Sequence, residues 1–167
     1  MYINSAIINS VPKDDIPLFQ RISDIFNLFG SVTSKEGRVN LPSYLDRVLS
    51  IDPECHTIAL AISMLVPEMR IRHGIYVGIT SSDDERGYRA TDCAHSWNVT
   101  PNGTIIDSYP VGVITGGPAI VASHGIYQPF GSGLYVDRPE ITSRLPMYKI
   151  WSRAQLIVDV VRFAQEN

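Results

Sequence analysis

Three residues of this chain have the types that nucleophilic catalysis requires: Cys55, His95 and Asp107. In such a set the cysteine thiolate attacks a carbonyl, the histidine moves protons, and the carboxylate holds the imidazole in one tautomer. Cys55 lies at the start of an apolar run, whereas the other two lie in "DCAHSWNVTPNGTIIDSYP", residues 92–110. The fold must therefore bring the start of a helix and a pair of strands together.

The run "DPECHTIALAISMLV", residues 52–66, predicts a helix enclosed by other elements. Asp52 can cap it, and Pro53 suits the first helical position, where a missing N–H costs nothing. The remainder is apolar on nearly every side, which is typical of a buried helix. Cys55 then falls near the third helical residue, where free backbone N–H groups and the helix dipole lower the pKa of a thiol.

The segments "AHSWNV" and "TIIDSY" predict a β-hairpin around "TPNG". Pro101, Asn102 and Gly103 suit a type I turn with glycine in the left-handed region. His95 and Asp107 are both odd-numbered, so a loop of three or five residues places them on one face, directly opposite or diagonal. Their Cβ atoms would then be about 4.5 to 8 Å apart. A two-residue loop would place them on opposite faces.

Two longer amphipathic helices are predicted near the chain ends. "DDIPLFQRISDIFNLFG" has apolar residues at helical spacing, with Asp14 or Asp15 as the cap and Gly30 as the end. "SRAQLIVDVVRFAQEN" can be capped by Ser152, and we expect it to pack on the sheet. A shorter helix is predicted for "LPSYLDRVL".

Strand signals fill the middle of the chain, and their order predicts an α+β fold with a central buried helix against an antiparallel sheet. "MRIRHGIYVGI" alternates with a period of two, and "VGVI" and "GLYV" are shorter β-like pieces. We expect a single domain, with N-terminal helices in residues 1–51, the catalytic core in 52–139 and the C-terminal helix in 140–167.

Composition excludes several classes of partner. The chain has 167 residues, 44% hydrophobic and 19% charged, which fits one globular domain. A net charge of −3 gives no basic field for nucleic acid. No apolar run approaches the roughly 20 residues of a membrane span, and we find no signal peptide. Two cysteines make no disulfide framework, so we expect reduced thiols and a cytoplasmic protein.

The order of a cysteine, a histidine in an "H-x-W" strand, and an aspartate at the end of the next strand resembles the transglutaminase-like superfamily of papain-like cysteine enzymes. "PECHTIALAISML", "RIRHGIYVGI" and "AHSWNVTPNGTIIDSYP" carry the resemblance, over about residues 52 to 110. It implies a papain-like core with Cys55 as nucleophile, His95 as base and acid, and Asp107 as the orienting carboxylate. It departs at Glu54, whose charge would raise the pKa of the thiol unless the side chain points to solvent.

The predicted activity is that of a hydrolase or acyltransferase on an amide: a peptide, a protein side-chain amide such as glutamine, or a small molecule. The thioester would pass to water, as in a protease, amidase or deamidase, or to an amine, as in a transglutaminase. Hydrolysis is favoured, and no cofactor or metal is required. Trp97 would shield the site and contact substrate. In the glycine-rich segment 115–133, Tyr127 and Phe130, with Tyr135 just beyond, could line an acyl pocket.

Other interpretations of the same residues stay open. Cys55 alone could be a packed thiol, His95 a core histidine and Asp107 a turn residue. The protein would then be a catalytically silent papain-like domain that binds a peptide or partner. Cys93 is a rival nucleophile. A zinc-dependent hydrolase would combine Cys93 and His95 with His56 or Asp107, although the chain has no close ligand pair such as C-x-x-C.

Overall fold

The structure is a computed structural model that describes residues 12–34, 41–45, 47–48, 54–81, 88–108, 119–121 and 133–167. The helices within these residues are α1 (Ile16–Thr33), α2 (Cys55–Leu65) and α3 (Met147–Glu166). The strands are β1 (Arg70–Ser81), β2 (Tyr88–Val99), β3 (Ile105–Asp107), β4 (Ala119–Val121) and β5 (Gly133–Asp137).

The five strands form one antiparallel sheet in the order β4-β3-β2-β1-β5. Helices precede and follow this sheet along the chain, so the predicted α+β class is confirmed. The "GLYV" piece lies in β5 as expected, whereas β4 was not predicted. The "VGVI" piece lies outside the described residues.

Helix α2 is the central element, as its apolar sequence predicts. It packs against β2 and β1 on one side and against α3 on the other. The prediction that the C-terminal helix packs on the sheet is wrong. Its Ala154 and Val158 meet Ala61 of α2, and α3 also packs on α1. Because α2 already covers the sheet face, α3 forms an outer layer. None of the helices in the described part of the chain is long and apolar enough to cross a membrane.

Helix α1 does not end at Gly30 but continues to Thr33. Ser31 Oγ donates to the carbonyl of Leu28 and Thr33 Oγ1 to that of Phe29, each at 2.7 Å, so the last turn satisfies carbonyls through its own hydroxyls. Gly30 does not adopt a positive φ angle. The glycine is therefore tolerated inside the helix rather than used as its end.

The predicted caps are also corrected. Asp15 occupies the N-cap position of α1, yet its side chain makes no cap hydrogen bond. Helix α3 begins at Met147, after Pro146, so Ser152 lies within the helix and is exposed. A short 3₁₀ helix, Pro139–Arg144, precedes it and was not predicted. Pro146, immediately before α3, has a fixed φ angle that suits the start of a helix, which explains why α3 begins before Ser152.

The predicted helix over "LPSYLDRVL" takes the form of turns in the residues that are described. The amide of Leu45 donates to the carbonyl of Pro42, and that of Val48 to Leu45, at 2.8 and 2.9 Å. These bonds span three residues, as in a tight 3₁₀ turn. Leu41, Leu45 and Val48 are nevertheless buried against α3, which explains their apolar spacing.

Candidate active site

The β2–β3 hairpin places His95 and Asp107 on the same face of the sheet. Its register pairs Asn98 with Ile106 and Val99 with Ile105, which is the even sum expected from a loop of odd length. One step further along this register, Asp107 lies diagonal to His95. Gly103 has a φ angle of 87°, as the predicted turn requires. The predicted same-face arrangement is confirmed.

His95 and Asp107 form a buried hydrogen-bonded pair. His95 Nε2 lies 2.7 Å from Asp107 Oδ2, and both side chains have an exposed fraction of 0%. Burial alone would lower the pKa of His95, but the hydrogen bond and charge of Asp107, together with Cys55, raise it to about 9. The pair therefore favours an imidazolium at neutral pH.

Tyr135, which the sequence places among the possible acyl-pocket residues, is a third member of this cluster. Its hydroxyl donates to the same carboxylate oxygen, Asp107 Oδ2, at 2.5 Å. Burial and the charge of Asp107 raise the pKa of Tyr135, so the phenol stays protonated and remains a donor. Its position follows from the pairing of Tyr135 with Tyr76 across β5 and β1, which no local sequence signal predicts.

Aromatic rings enclose the imidazole. Trp97 stacks on His95 with ring centroids 6.1 Å apart, and Tyr76 meets the same ring edge-on at 6.0 Å. Trp97 has an exposed fraction of 2% and also contacts Tyr135, at 5.0 Å. Trp97 thus covers one side of the imidazole, and its roles in shielding the pair from water and in contacting substrate stay predictions.

Gly74 allows this packing. It pairs with His95 across β1 and β2. A Cβ atom at this position would lie 2.0 Å from the carbonyl oxygen of Val136 and 2.7 Å from Cη2 of Trp97. Any larger residue would therefore displace the indole that stacks on the imidazole.

Cys55 is the first residue of α2, with Glu54 at the N-cap position. The prediction of a third helical position is corrected by this start; Asp52 and Pro53, the expected cap and first residue, lie outside the described residues. Backbone N–H groups in the first turn have no partner within the helix, so the favourable environment for an anion is retained. Cys55 is half-buried, and its Sγ lies 4.0 Å from the carbonyl oxygen of Ala94, next to His95.

The pKa of the Cys55 thiol reflects opposing effects. Burial raises it, but hydrogen bonding to His56 and His95 and the charges of both rings lower it from a usual value of 9.0 to about 6. A thiolate beside an imidazolium is thus the favoured state between about pH 6 and pH 9.

Glu54, the departure from the family pattern, points away from the thiol. Its side chain is 53% exposed, and Oε1 lies 3.3 Å from Arg153 Nη1 of α3. The negative charge is therefore solvated and paired.

Buried polar contacts fix β2 against α2. Asn98 Nδ2 donates to the carbonyl of Ala59 and to Ser63 Oγ, each at 2.9 Å. His56 Nδ1 lies 2.6 Å from Ser96 Oγ. These contacts alternate along β2 with His95, which faces the other side. They hold the strand that carries the imidazole against the helix that carries the thiol.

The second ring nitrogen of His95, Nδ1, is buried and makes no hydrogen bond of normal distance and angle to the described residues. Cys55 nevertheless lies close enough to affect the pKa of the ring. Because Asp107 holds Nε2, Nδ1 is the ring nitrogen that the carboxylate leaves available.

The other predicted site residues are placed as follows. Tyr127 and Phe130 lie outside the described residues. Cys93 lies on β2, opposite Tyr76 in the register and on the same face of the strand as His95. In the described parts of the chain, no cluster of three or more histidine, cysteine or acidic residues could hold a metal ion, and no disulfide joins Cys55 and Cys93.

Comparison with known proteins finds no family model that matches the chain, and no curated protein or solved structure that is significantly similar to it.

Proposed function

We propose that this protein is a cysteine-dependent amide hydrolase or acyltransferase. The observation that carries the proposal is a buried imidazole held by a carboxylate through Nε2, with an Nδ1 that makes no hydrogen bond of normal distance and angle to the described residues. The electrostatic coupling of this ring to Cys55, which helps to lower the thiol pKa, completes the argument. Nucleophile, proton carrier and orienting carboxylate are the parts that acyl transfer requires.

In the proposed reaction the Cys55 thiolate attacks the amide carbonyl carbon. Backbone N–H groups in the first turn of α2, beginning with that of Cys55, stabilise the oxyanion. The carbon–nitrogen bond then breaks, and the amine leaves with the proton from His95 Nδ1. The thioester passes to water or to an amine, which gives up a proton to His95, and the carbon–sulfur bond breaks to restore the thiolate.

Asp107 and the aromatic cluster act on His95 rather than on substrate. The carboxylate holds the tautomer and supports the imidazolium. Tyr135 holds the carboxylate, and Trp97 with Tyr76 excludes water from the ring. The resemblance to transglutaminase-like enzymes belongs to this proposal, as do a papain-like core and a cytoplasmic location, where Cys55 would remain reduced.

The competing function is a catalytically silent domain that binds a peptide or partner. The complete burial of His95 and Asp107 is the observation that favours it, because structural ion pairs are also buried. Such a domain would keep the fold and lack turnover.

Acyl-enzyme trapping tests the proposal. The protein is mixed with peptide p-nitroanilides, glutamine-containing peptides with and without a primary amine, and small acyl amides, then acid-quenched and weighed by intact mass spectrometry. We expect an acyl adduct on Cys55, absent from Cys55→Ala and present in Cys93→Ala. Absence of both adduct and product with all three substrate classes would favour the binding domain. A dependence of turnover on added zinc, retained in Cys55→Ala, would favour the metal-dependent alternative.

A further inference from the structure

Ser96 links two histidines on the face of β2 that lies opposite His95. Its Oγ lies 2.6 Å from His56 Nδ1 of α2 and 2.7 Å from His73 Nδ1 of β1. His73 is also the cross-strand partner of Ser96. Ser96 and His56 are buried, whereas His73 is half-buried. The three residues form a hydrogen-bonded chain from the side of Cys55 toward the surface of β1.

The single hydroxyl proton of Ser96 restricts the tautomers of His56 and His73. A serine hydroxyl has one proton, so Ser96 donates to one imidazole and must accept from the other. One of the two Nδ1 atoms therefore carries a proton, and the other does not. Burial, and next the positive charge that His56 carries when it is protonated, lower the pKa of His73, which favours the neutral form of His73. When both rings are neutral, His56 and His73 must have opposite tautomers.

His56 is positioned to act on the nucleophile. It follows Cys55 in the first turn of α2, and it contributes to the low pKa of the thiol. Because Ser96 occupies Nδ1, Nε2 is the ring nitrogen left to interact with the sulfur. A thiolate is an acceptor, so this interaction is favourable when His56 carries its proton on Nε2.

We propose that His56 is a positioning residue for Cys55, with its Nε2–H directed at the thiolate and its tautomer set by the Ser96–His73 pair. In this state His73 Nδ1–H donates to Ser96 Oγ, and the Ser96 hydroxyl donates to His56 Nδ1. The inference rests on the proposed function, because it assigns the residues that hold its nucleophile. Cys55 would thus have an imidazole on each side, with His95 moving protons and His56 holding the charge.

The effect of His56 on the thiolate can be separated from that of the other titratable and charged groups around Cys55. His95 approaches from β2, His73 reaches His56 only through Ser96, and the Glu54–Arg153 ion pair on the α3 side is exposed. The exposed pair is screened by solvent. The thiolate therefore depends mainly on the two adjacent histidines.

The first test measures the tautomers directly in the unmodified protein. Heteronuclear NMR of the imidazole nitrogens at about pH 8, where histidines are ordinarily neutral, should show His56 protonated on Nε2 and His73 on Nδ1. The opposite assignment, with His56 protonated on Nδ1, would overturn the proposal. No substitution is needed, so folding of a variant does not affect the result.

The second test follows the pKa of the Cys55 thiol by thiolate absorbance in the Cys93→Ala background. We expect His56→Ala to raise this pKa by about one unit or more. Ser96→Ala should raise it by less, because the His56 ring remains and loses only the hydrogen bond that fixes its tautomer. His56→Gln should partly restore the wild-type value, because its amide N–H can replace Nε2–H. Ser152→Ala, an exposed serine of α3, is the matched control and should leave it unchanged.

The outcomes separate this inference from the proposed function. If the wild-type thiol titrates near its usual value of 9.0, the proposed function fails as well. If it titrates near 6 and rises in His95→Ala but not in His56→Ala or Ser96→Ala, only the role of His56 is overturned. Should His56→Ala fail to fold, His56→Gln, Ser96→Ala and the tautomer assignment still decide the question.

Discussion

Two aspartates of this protein are buried to the same degree and satisfied in different ways. Asp15 and Asp107 both have an exposed fraction of 0%. The carboxylate of Asp15, at the start of α1, accepts hydrogen bonds from Asn102 Nδ2, at 3.0 Å, and from Thr104 Oγ1. Both donors are neutral and belong to the β2–β3 turn. Asp15 therefore attaches the hairpin to α1 and has no titrating partner among these contacts.

Asp107 lies at the other end of the same hairpin and accepts from His95 and Tyr135. One of these donors can carry a positive charge near neutral pH, so the carboxylate alters the chemistry of its neighbour as well as its position. Burial alone thus does not distinguish a structural aspartate from a functional one. The type of donor does, and matched substitutions at Asp15 and Asp107 can test this distinction.

The largest expected effect is the loss of catalytic activity in the Asp107→Asn variant. The amide can no longer support the imidazolium and favours the wrong tautomer, so we expect kcat/KM to fall by about 10³- to 10⁴-fold. The same substitution at Asp15 should change kcat/KM of the folded protein by less than about twofold, because it contacts no reacting group. Steady-state kinetics on the substrate found by acyl trapping measures both. Equal losses in the two variants would contradict the comparison.

The next effect is on the pH dependence. In the wild type, activity should decline as pH falls through about 6, where Cys55 is protonated, and as pH rises through about 9, where His95 loses its proton. Asp107→Asn should lower the pKa of His95 from about 9 toward or below its usual value of 6.5, because burial persists without the carboxylate. NMR titration of the His95 ring checks this, with Asp15→Asn expected to match the wild type.

The raised pKa of His95 also has a consequence for stability. A group whose pKa is higher in the folded state stabilises that state fully below its unfolded value, here about 6.5. This contribution is lost as pH rises through about 9. The lowered pKa of Cys55 acts in the opposite direction over nearly the same range, because its contribution grows as pH rises from about 6 to 9. Denaturation by urea should therefore show the loss in Cys55→Ala, with a weaker pH dependence in the wild type and when Asp107→Asn is added.

A smaller effect is expected on the stability contributed by Asp15. Asp15→Ala leaves the buried Thr104 hydroxyl and the Asn102 amide without their acceptor, which should lower the free energy of unfolding by about 1 to 3 kcal/mol. Urea denaturation measures this loss. The alkylation rate of Cys55 in the folded variant should equal that of the wild type; a slower rate would show that Asp15 also supports the site.

The smallest effect is expected for Tyr135→Phe. This substitution removes the hydrogen bond from the phenol to Asp107 Oδ2 but keeps the aromatic packing, so kcat should fall by about tenfold or less. KM should stay unchanged because Tyr135 acts through Asp107 and His95. A loss as large as that of Asp107→Asn would mean that the phenol participates in the chemistry itself.

The sequence predicts those parts of the site that depend on local rules. Strand periodicity and the parity of an odd-length loop place His95 and Asp107 on one face, and both are found there. The apolar surround of α2 predicts its central position. The predicted start of this helix lies two residues before the observed one, because Asp52-Pro53 is a strong local signal that does not measure where helical hydrogen bonding begins.

The other parts of the site depend on contacts between strands and helices that are far apart in the sequence. Tyr135 reaches Asp107 only because β5 pairs with β1, across a connection whose course no turn signal specifies. His73 and His56 meet at Ser96 for a similar reason, since they come from a strand and a helix that flank β2. Histidines in such positions are indistinguishable in sequence from ordinary core residues. Tertiary packing gives them partners.

The most direct measurement of the central claim is the rate of iodoacetamide labelling at Cys55 and Cys93, resolved by mass spectrometry across the pH range of about 5 to 9. It compares the wild type with His95→Ala, and Cys93 is the internal reference. We predict rapid labelling of Cys55 with a midpoint near pH 6, moved to higher pH by the substitution. An unactivated Cys55 in both proteins, with a midpoint near the usual value of 9.0, would contradict the account.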